Sequence, residues 1–227
     1  MRRGVVVVGS HTDVGKTFVS CALVRALVAR GIAVTPRKPV LTGVGHDDDA
    51  LADSDAGRLL AAAGRQFDRT SIDEVAPLRF TLPQAPDAAA RAEGRRLRLA
   101  EVVAAAAAPA DACVLIETAG GVMSPVADDG LVVDVAAALG LPCVLVVGAY
   151  LGGISHGLSA HAVLVQRGLV VAAVVVNRAD GGVVTDAHVE PFARFLPGQT
   201  VLSSSDETWT SVVIARLGAS AATGSGE

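Results

Sequence analysis

Gly9-Ser10-His11-Thr12-Asp13-Val14-Gly15-Lys16-Thr17 is the stretch that decides the fold of this chain. A short β-branched run precedes it and an apolar-periodic segment from about Lys16 to Arg30 follows it, so the local order is strand, loop, helix. A glycine-containing loop in this context binds phosphate. Backbone N–H groups at the helix N-terminus point at phosphate oxygens, the Lys16 ammonium neutralises their charge and the Thr17 hydroxyl ligates Mg²⁺. The stretch therefore predicts a site for ATP and Mg²⁺.

The loop departs from the strict phosphate-loop pattern at one position. The pattern G-x-x-x-x-G-K-[ST] requires glycine at position 10, where this chain has Ser10, and Gly9 stands one residue too early. An accidental Gly-Lys-Thr at the start of a helix is the alternative interpretation. The strand before the loop and the helix after it favour a variant phosphate loop.

The rest of the chain predicts an α/β fold with a mostly parallel sheet and helices on both faces. Hydrophobic residues make up 51% of the 227 residues and aromatic residues only 3%, which is typical of a buried parallel sheet rich in Val, Leu and Ala. A strand over residues 33–40 and apolar strands over residues 112–117, 143–147 and 169–176 alternate with helical segments. We expect one P-loop domain over residues 1–217 and a small, polar, disordered tail over 218–227.

Between the first strand and the middle of the chain the sequence indicates secondary structure less clearly. Pro36 and Pro39 indicate that the second strand, Ala33–Val40, lies at an edge of the sheet. An acidic stretch then leads into a helix that ends near Ala63. Residues 66–87 carry three prolines and predict an irregular excursion over the surface, and residues 88–108 predict helix broken at Gly94.

Composition argues against several classes of protein. A net charge of -4 gives no basic field for nucleic acid. Residues 135–154 carry no charge over a length that could span a membrane, but glycines and a proline divide them into helix, turn, strand and loop. Cys21, Cys113 and Cys143 are far apart and lack metal-ligand spacing, so we expect buried thiols in a reducing cytoplasm. His11 and His156 also lack metal-ligand spacing, which argues against zinc.

The chain keeps only two lysines, Lys16 and Lys38, among 19 basic residues. A compact ammonium fits among phosphate oxygens where a planar guanidinium does not, so these two positions are candidates for chemistry that requires lysine. Lys38 follows the second predicted strand, at the edge where open α/β sheets bind ligands. We therefore expect Lys38 to lie near Lys16; chance retention and an ordinary surface lysine are the alternatives.

Three further polar residues are candidates for the same edge. Glu117 ends the apolar strand Val114-Leu115-Ile116, as the acid of a Walker B strand does, and its carboxylate can reach the Mg²⁺ held by Thr17. Asp55 lies in an acidic run, which is more often a solvated face than a metal site. Asn177 ends another apolar strand, and its amide suits the edge of adenine, although an asparagine that starts a turn is the alternative.

Together these residues resemble the dethiobiotin synthetase family of P-loop ligases. The family's loop typically reads T-D-T-E-V-G-K-T, and residues 10–17 fill that place. Its K-P-V-x-[ST]-G resembles residues 38–43, its N-S-D-A resembles residues 53–56 and its E-G-A-G-G resembles residues 117–121. The family's L-G-x-I-N-H is similar to residues 151–156 and its adenine-binding asparagine maps onto Asn177. Order and spacing agree except over the last thirty or so residues.

Three positions depart from the family pattern. An aspartate is replaced by His11, the first glycine after the Walker B acid by Thr118 and an asparagine by Ser155. These departures concern the fine contacts to the substrate more than the nucleotide site.

The resemblance implies closure of a cyclic urea: 7,8-diaminononanoate, CO₂ and ATP give dethiobiotin, ADP and phosphate. A carbamate on one amine attacks the γ-phosphorus, and the second amine then displaces phosphate from the resulting anhydride. Two anions must approach each other closely, which requires cations fixed in advance. By the resemblance Lys38 is the catalytic lysine at the carbamate, with Lys16 and Thr12 beside it and Mg²⁺ as cofactor.

The resemblance also implies the remaining site residues. Thr42 contacts the substrate, and Gly153 and Ser155 serve the site of the neighbouring subunit across a homodimer. The Mg²⁺ ligands are Thr17, Asp55 and Glu117. The nucleotide contacts are Asp13, Val14, Gly15, Lys16, Thr17, Phe18, Asp55, Glu117, Thr118, Ala119, Gly120, Asn177 and Arg178.

Two other kinds of P-loop protein remain as alternatives. A ParA/MinD-like switch ATPase carries a signature lysine early in the loop, where this chain has His11, and the sequence gives no amphipathic C-terminal membrane helix or basic DNA patch. A related amidating synthetase is the second alternative, although the sequence contains no region for a glutaminase domain.

Overall fold

The computed structural model describes residues 3–223, and a parallel β-sheet forms its centre. The strands of these residues are β1 Arg3–Gly9, β2 Val34–Arg37, β3 Val40–Thr42, β4 Leu78–Phe80, β5 Cys113–Glu117, β6 Pro125–Ala127, β7 Gly130–Leu131, β8 Cys143–Gly148, β9 Val171–Asn177 and β10 Val201–Ser203. The helices are α1 Lys16–Val28, α2 Asp48–Asp53, α3 Asp55–Ala62, α4 Arg69–Val75, α5 Pro86–Ala92, α6 Leu99–Ala105, α7 Val132–Leu139, α8 Gly153–Gln166, α9 Asp186–Phe195 and α10 Trp209–Thr223.

Six of the described strands form the main sheet in the order β10-β9-β8-β1-β5-β2. Every neighbouring pair in this sheet is parallel. β1 is central, and its Val7 pairs with Glu117 on one side and Val144 on the other. Because parallel strands all end at one edge, the loops that follow β1, β5, β8 and β9 meet there.

Alternate residues of the central strand supply the two layers of the core. Val5 and Val7 pack into one buried cluster with α1, whereas Val6 and Val8 pack into the other with α7 and α8. This is the period of two expected of a strand that is covered on both faces. The predicted α/β class with helices on both faces is therefore confirmed.

The prediction of one second strand over residues 33–40 is wrong. β2 ends at Arg37, the Lys38 N–H donates to the carbonyl of Val75 at 2.7 Å, and the chain then starts β3, which pairs with β4 in a separate small sheet. Pro39 has no N–H to continue the main ladder, which explains the change of sheet. The expected edge position is confirmed, because β2 is the outermost strand on its side.

The irregular excursion predicted for residues 66–87 is also wrong in part. The segment contains α4 and β4, and α4 begins at an N-cap, Asp68, whose side chain accepts a hydrogen bond from the Ser71 N–H at 2.8 Å. Ile72 and Val75 of this helix are fully buried. A helix of seven residues is too short for apolar periodicity to reveal it, so the cap was its main signal in the sequence.

The helical segments are shorter than predicted and divided. The first helix ends at Val28 rather than Arg30, and the acidic stretch itself forms α2 before α3 ends at Ala62. The predicted break near Gly94 is confirmed, since α5 ends at Ala92 and α6 starts at Leu99.

At the C-terminus, α10 extends over residues 218–223, where a disordered tail was expected, and residues 224–227 of that predicted tail lie outside the described residues. The division of the chain into one domain and a tail stays a prediction. None of the helices described here has the length and apolarity needed to cross a membrane.

Candidate active site

A cleft of about 730 Å³ opens at the carboxyl edge of the main sheet. The phosphate loop after β1, the ends of β2, β5 and β9 and the start of α3 all contribute to its lining. Its volume lies within the range of sites for small molecules. The fold therefore brings the sequence motifs at residues 9–17, 38–43, 53–56 and 117–121 to one place.

The phosphate loop has a backbone that only particular residues allow. Gly15 has a φ of 93°, and a Cβ placed on it would lie 2.0 Å from the Asn177 side-chain nitrogen. A larger residue would clash with Asn177 and would also be strained. Asp13 takes a φ of 58°, a region that aspartate tolerates better than most residues. Glycine at position 15 is thus required by the loop itself, whereas the strict pattern's glycine at position 10 is not needed for this conformation.

The start of α1 is free to bind an anion. Its N-cap residue is Gly15, which offers no side-chain hydrogen bond to the first turn, and no acidic residue lies in that turn. The first N–H groups of the helix therefore lack the usual capping partner. With the positive end of the helix dipole directed at the cleft, this is the arrangement that holds phosphate groups.

Lys16 is buried at the start of α1 and its Nζ donates to the His11 carbonyl at 3.2 Å. Burial of the ammonium and the nearby Lys38 lower the pKa of Lys16 to about 8. Both effects disfavour its charged form. An anionic ligand would offset the effect of Lys38 on this pKa by supplying negative charge.

We expect ATP binding to take up a proton at pH 8.5, because the phosphates raise the pKa of Lys16 above its value of about 8 in the protein alone. Titration calorimetry in two buffers with different ionisation enthalpies measures this uptake. A Lys16→Arg variant is the control, since guanidinium does not titrate in this range. Equal proton uptake by the variant and the unchanged chain would show that another group takes up the proton.

Lys38 lies between two carboxylates at the floor of the cleft. Its Nζ is 2.6 Å from Glu117 Oε1 and 3.0 Å from Asp55 Oδ2, and its side chain is only 5% exposed. The Thr17 hydroxyl donates to the same Glu117 oxygen at 2.8 Å. The predicted catalytic lysine and the three predicted Mg²⁺ ligands are thus one connected cluster.

Charge pairing dominates the electrostatics of this cluster. Burial disfavours the charged Lys38, but Glu117 and Asp55 outweigh it and raise the pKa of Lys38. Burial also opposes the charged form of Asp55, yet Lys38 outweighs it and lowers the pKa of this carboxyl. Lys38 is therefore an ammonium at neutral pH, in contrast to Lys16, whose charge is only marginally favoured.

The carboxylates have room for a divalent cation. Glu117 is fully buried, and its Oε2 has no hydrogen-bond partner among the described residues. A buried carboxylate oxygen without a partner is costly unless something binds it. Asp55, Glu117 and the Thr17 hydroxyl are the oxygen ligands that Mg²⁺ prefers, so the residues present fit this ion.

Asn177 joins the phosphate loop to the last strand of the sheet. Its Nδ2 donates to the Val14 carbonyl at 2.9 Å, and its Oδ1 accepts from the Ser204 hydroxyl at 2.8 Å. The amide therefore already holds the loop in place. One donor hydrogen and one acceptor lone pair remain for a ligand, so contact with adenine stays a prediction.

Comparisons with known proteins agree with this geometry. A family model described as an AAA domain matches residues 3–203. An ATP-dependent dethiobiotin synthetase BioD of Phenylobacterium zucineum is 52% identical over 176 residues, which cover 76% of this chain and 74% of the relative. A second dethiobiotin synthetase, from a Caulobacter species, is 41% identical over 214 residues, which cover 92% of this chain and 91% of the relative. The chain belongs to the dethiobiotin synthetase family.

Among solved structures, a ParA family ATPase from Chlorobium tepidum aligns with a TM-score of 0.49 at 13% identity, covering 100% of this chain and 95% of that chain. The septum site-determining protein MinD of Pyrococcus horikoshii aligns with a TM-score of 0.48 at 16% identity, covering 95% of this chain and 86% of that chain. Likeness at this level supports no functional conclusion. The ParA/MinD-like alternative therefore gains nothing from it.

Most residues assigned to the site through the dethiobiotin synthetase family line the cleft. They are Thr12, Asp13, Gly15, Lys16, Thr17, Phe18, Lys38, Thr42, Asp55, Glu117, Ala119, Gly120, Asn177 and Arg178. Two predicted nucleotide contacts point elsewhere: Val14 packs into the core, and the Thr118 hydroxyl donates to the Val7 carbonyl inside the sheet. Gly153 and Ser155 lie at the start of α8, outside the cleft lining, and their role across a homodimer stays a prediction.

Several cleft residues were missed by the sequence reasoning. Ser204 and Ser205 follow β10, a short strand that the apolar patterns did not predict, and Arg58 lies on α3, one turn after Asp55. The spacing from Asp55 to Arg58 could have indicated the arginine, since residues three apart share a helix face. Residues 179, 181 and 182, after β9, also line the cleft.

Proposed function

We propose that this chain catalyses the ATP- and Mg²⁺-dependent closure of the dethiobiotin ring from 7,8-diaminononanoate and CO₂. The observation that carries the proposal is the buried Lys38 ammonium, which lies between Glu117 and Asp55 in the cleft that Lys16 and the phosphate loop also line. A cleft that only hydrolyses a nucleotide has no need for a second buried lysine beside the carboxylates. A reaction that joins two anions does.

The chemistry requires three steps at one place. One amine adds to CO₂ and releases a proton, which forms a carbamate. A carbamate oxygen then attacks the γ-phosphorus of ATP and ADP leaves, which forms a carbamic-phosphoric anhydride. The second amine then attacks the carbamate carbon, phosphate leaves and the amine releases its proton. Lys38 neutralises the carbamate, Lys16 neutralises the transferring phosphoryl group, and both ammoniums are held before the substrates arrive.

The remaining predicted contacts fit these roles. Thr12 lines the cleft from the phosphate loop and Thr42 from the end of β3, so each offers a hydroxyl to substrate or phosphate. Thr17, Asp55 and Glu117 would hold Mg²⁺, which when bound supplies positive charge at the β and γ phosphates. Lys38 shares Glu117 and Asp55 with that ion, so the lysine offsets one of the two negative charges of this carboxylate pair when no metal is present.

We further propose a homodimer in the cytoplasm. The resemblance assigns Gly153 and Ser155 to the substrate tail in a neighbouring subunit, and these residues lie at the start of α8 beside the exposed Leu151 and Ile154. Exposed apolar side chains next to a predicted substrate contact are consistent with a subunit interface.

The proposal predicts that ATP turnover depends on both 7,8-diaminononanoate and bicarbonate, with dethiobiotin formed in equal amount to ADP. Coupled detection of ADP together with mass spectrometry of the product measures both. Omission of the diamine or of Mg²⁺ should each reduce turnover to background. An ATP hydrolysis rate that does not depend on the diamine would contradict the ligase proposal and favour a switch ATPase.

A further inference from the structure

Three aromatic side chains form a cluster beside the phosphate loop. The Tyr150 hydroxyl lies 2.6 Å from His156 Nδ1 and 3.2 Å from His11 Nδ1. The ring centroids of His11 and Tyr150 are 4.9 Å apart, and those of the two histidines are 6.1 Å apart. His11 belongs to the phosphate loop, Tyr150 to the turn after β8 and His156 to the first turn of α8. The cluster therefore connects two separate loops of the carboxyl edge.

The fold makes room for this cluster at Gly148, the last residue of β8. A Cβ on Gly148 would lie 2.2 Å from the Tyr150 ring and 3.5 Å from His11 Cε1. The Tyr150 ring thus packs directly on the strand backbone and can reach both histidines only because this residue has no side chain. This packing gives the cluster a defined geometry, which the partial exposure of Tyr150 alone would not indicate.

Both contacts can be hydrogen bonds at once. The Tyr150 O–H can donate to a bare Nδ1 on one imidazole, and its oxygen can accept from an Nδ1–H on the other. Two neutral imidazoles in opposite tautomers satisfy both contacts, so the cluster needs no charged group.

The position of His11 affects the phosphate-binding lysine. The His11 carbonyl accepts the hydrogen bond from Lys16 Nζ, and the preceding Ser10 N–H donates to the Val146 carbonyl of β8. The loop backbone that faces Lys16 is thus fixed on one side by the strand and on the other by the His11 ring. Loss of the ring's hydrogen bond would free the part of the loop against which Lys16 is placed.

We propose that His11, Tyr150 and His156 form a hydrogen-bonded latch that holds the first half of the phosphate loop and thereby positions Lys16 for the nucleotide. These three are positioning residues, because only the loop and Lys16 reach the phosphates. The inference rests on the proposed nucleotide site and does not require ring closure.

The surroundings of His11 favour its neutral form. Besides Tyr150 and His156, Lys16 on α1 and Asp13 in the loop face His11, and Ser10 Oγ lies 3.3 Å from its Nδ1. Burial, Lys16 and His156 together lower the pKa of His11, against a smaller opposite effect of Asp13. A lowered pKa keeps the imidazole neutral at pH 7, so its Nδ1 can accept a hydrogen from the Tyr150 hydroxyl.

Binding of Mg·ADP, measured by calorimetry on the full chain, tests the latch without the diamine. At pH 7.5 we expect Tyr150→Phe, which keeps the ring but removes the hydroxyl, to weaken binding about threefold to tenfold. His156→Ala should weaken it to a similar extent. His161→Asn is the matched control, because His161 lies on the same helix but bonds Gln199 instead, and its affinity should be unchanged.

Two substitutions of His11 separate a latch from a general loss of structure. His11→Asn places an uncharged amide near the Nδ1 position, so it should keep its affinity at pH 7.5. His11→Leu has no hydrogen-bonding group there and should weaken binding about as much as Tyr150→Phe. Unchanged binding by Tyr150→Phe, or equal weakening by His11→Asn and His11→Leu, would overturn the proposal.

Discussion

Replacing Lys38 by arginine is expected to reduce dethiobiotin formation by about 100- to 1000-fold, the scale at which loss of a preorganised charge acts on a transition state. The substitution keeps the positive charge, so the effect must come from shape. The Lys38 ammonium fits between Glu117 Oε1 at 2.6 Å and Asp55 Oδ2 at 3.0 Å, in a site that is almost fully buried. A planar guanidinium is too broad for this place and cannot present one compact charge to a carbamate.

Binding and turnover should respond differently to Lys38→Arg. Mg·ATP binding should remain measurable by calorimetry, because the phosphate loop and Lys16 are intact. Lys16→Arg is the matched comparison at the only other lysine of the chain, and there we expect ATP binding itself to be weakened. Near-normal turnover by Lys38→Arg would remove Lys38 from its catalytic role.

Lys38→Met is expected to lower the free energy of unfolding by about 3 to 5 kcal/mol, because it leaves the charge of Glu117 buried without its partner. Glu117 is fully buried, and without Lys38 only the Thr17 hydroxyl would contact it. Chemical denaturation at pH 7 measures the change. Asp55→Asn is the control: the Asp55 side chain is 35% exposed, so water compensates for the lost pair and the cost should be much smaller.

A double variant distinguishes this explanation from a loss of packing. Lys38→Met combined with Glu117→Gln removes the unpaired charge while keeping the volume of both side chains, so most of the lost stability should return. If the double variant is as unstable as Lys38→Met alone, the cause lies in the packing of residue 38 and not in the buried charge.

The phosphate loop and the strand ends could be predicted because their signals are local. Glycine and lysine before a helix, and single polar residues after apolar runs, each reflect a requirement of one short segment. Glu117 and Asn177 were placed correctly at the sheet edge on that basis, and the cleft contains both. The same reasoning placed Lys38 near Lys16, because parallel strands end at the same edge of a sheet.

Other features depend on contacts between distant segments, which a single sequence does not display. Val40 ends the segment predicted as the second strand, yet Val40–Thr42 pairs with Leu78–Phe80 in another sheet. The sharing of Glu117 by Lys38 and Thr17 is equally invisible, because the three residues come from different parts of the chain. His11 stood out as a departure from the family pattern, but the sequence did not indicate its contact with Tyr150.

We infer that this cleft phosphorylates a carbamate with ATP and then closes a ring. The ligase assay run with ¹⁸O-labelled bicarbonate in unlabelled water tests this reaction order, when the reaction is short compared with exchange of label into water. We expect one ¹⁸O in the inorganic phosphate for each dethiobiotin formed, because a carbamate oxygen leaves with the phosphoryl group. Phosphate that contains no label, formed together with labelled dethiobiotin, would contradict the anhydride and the roles assigned to Lys16 and Lys38.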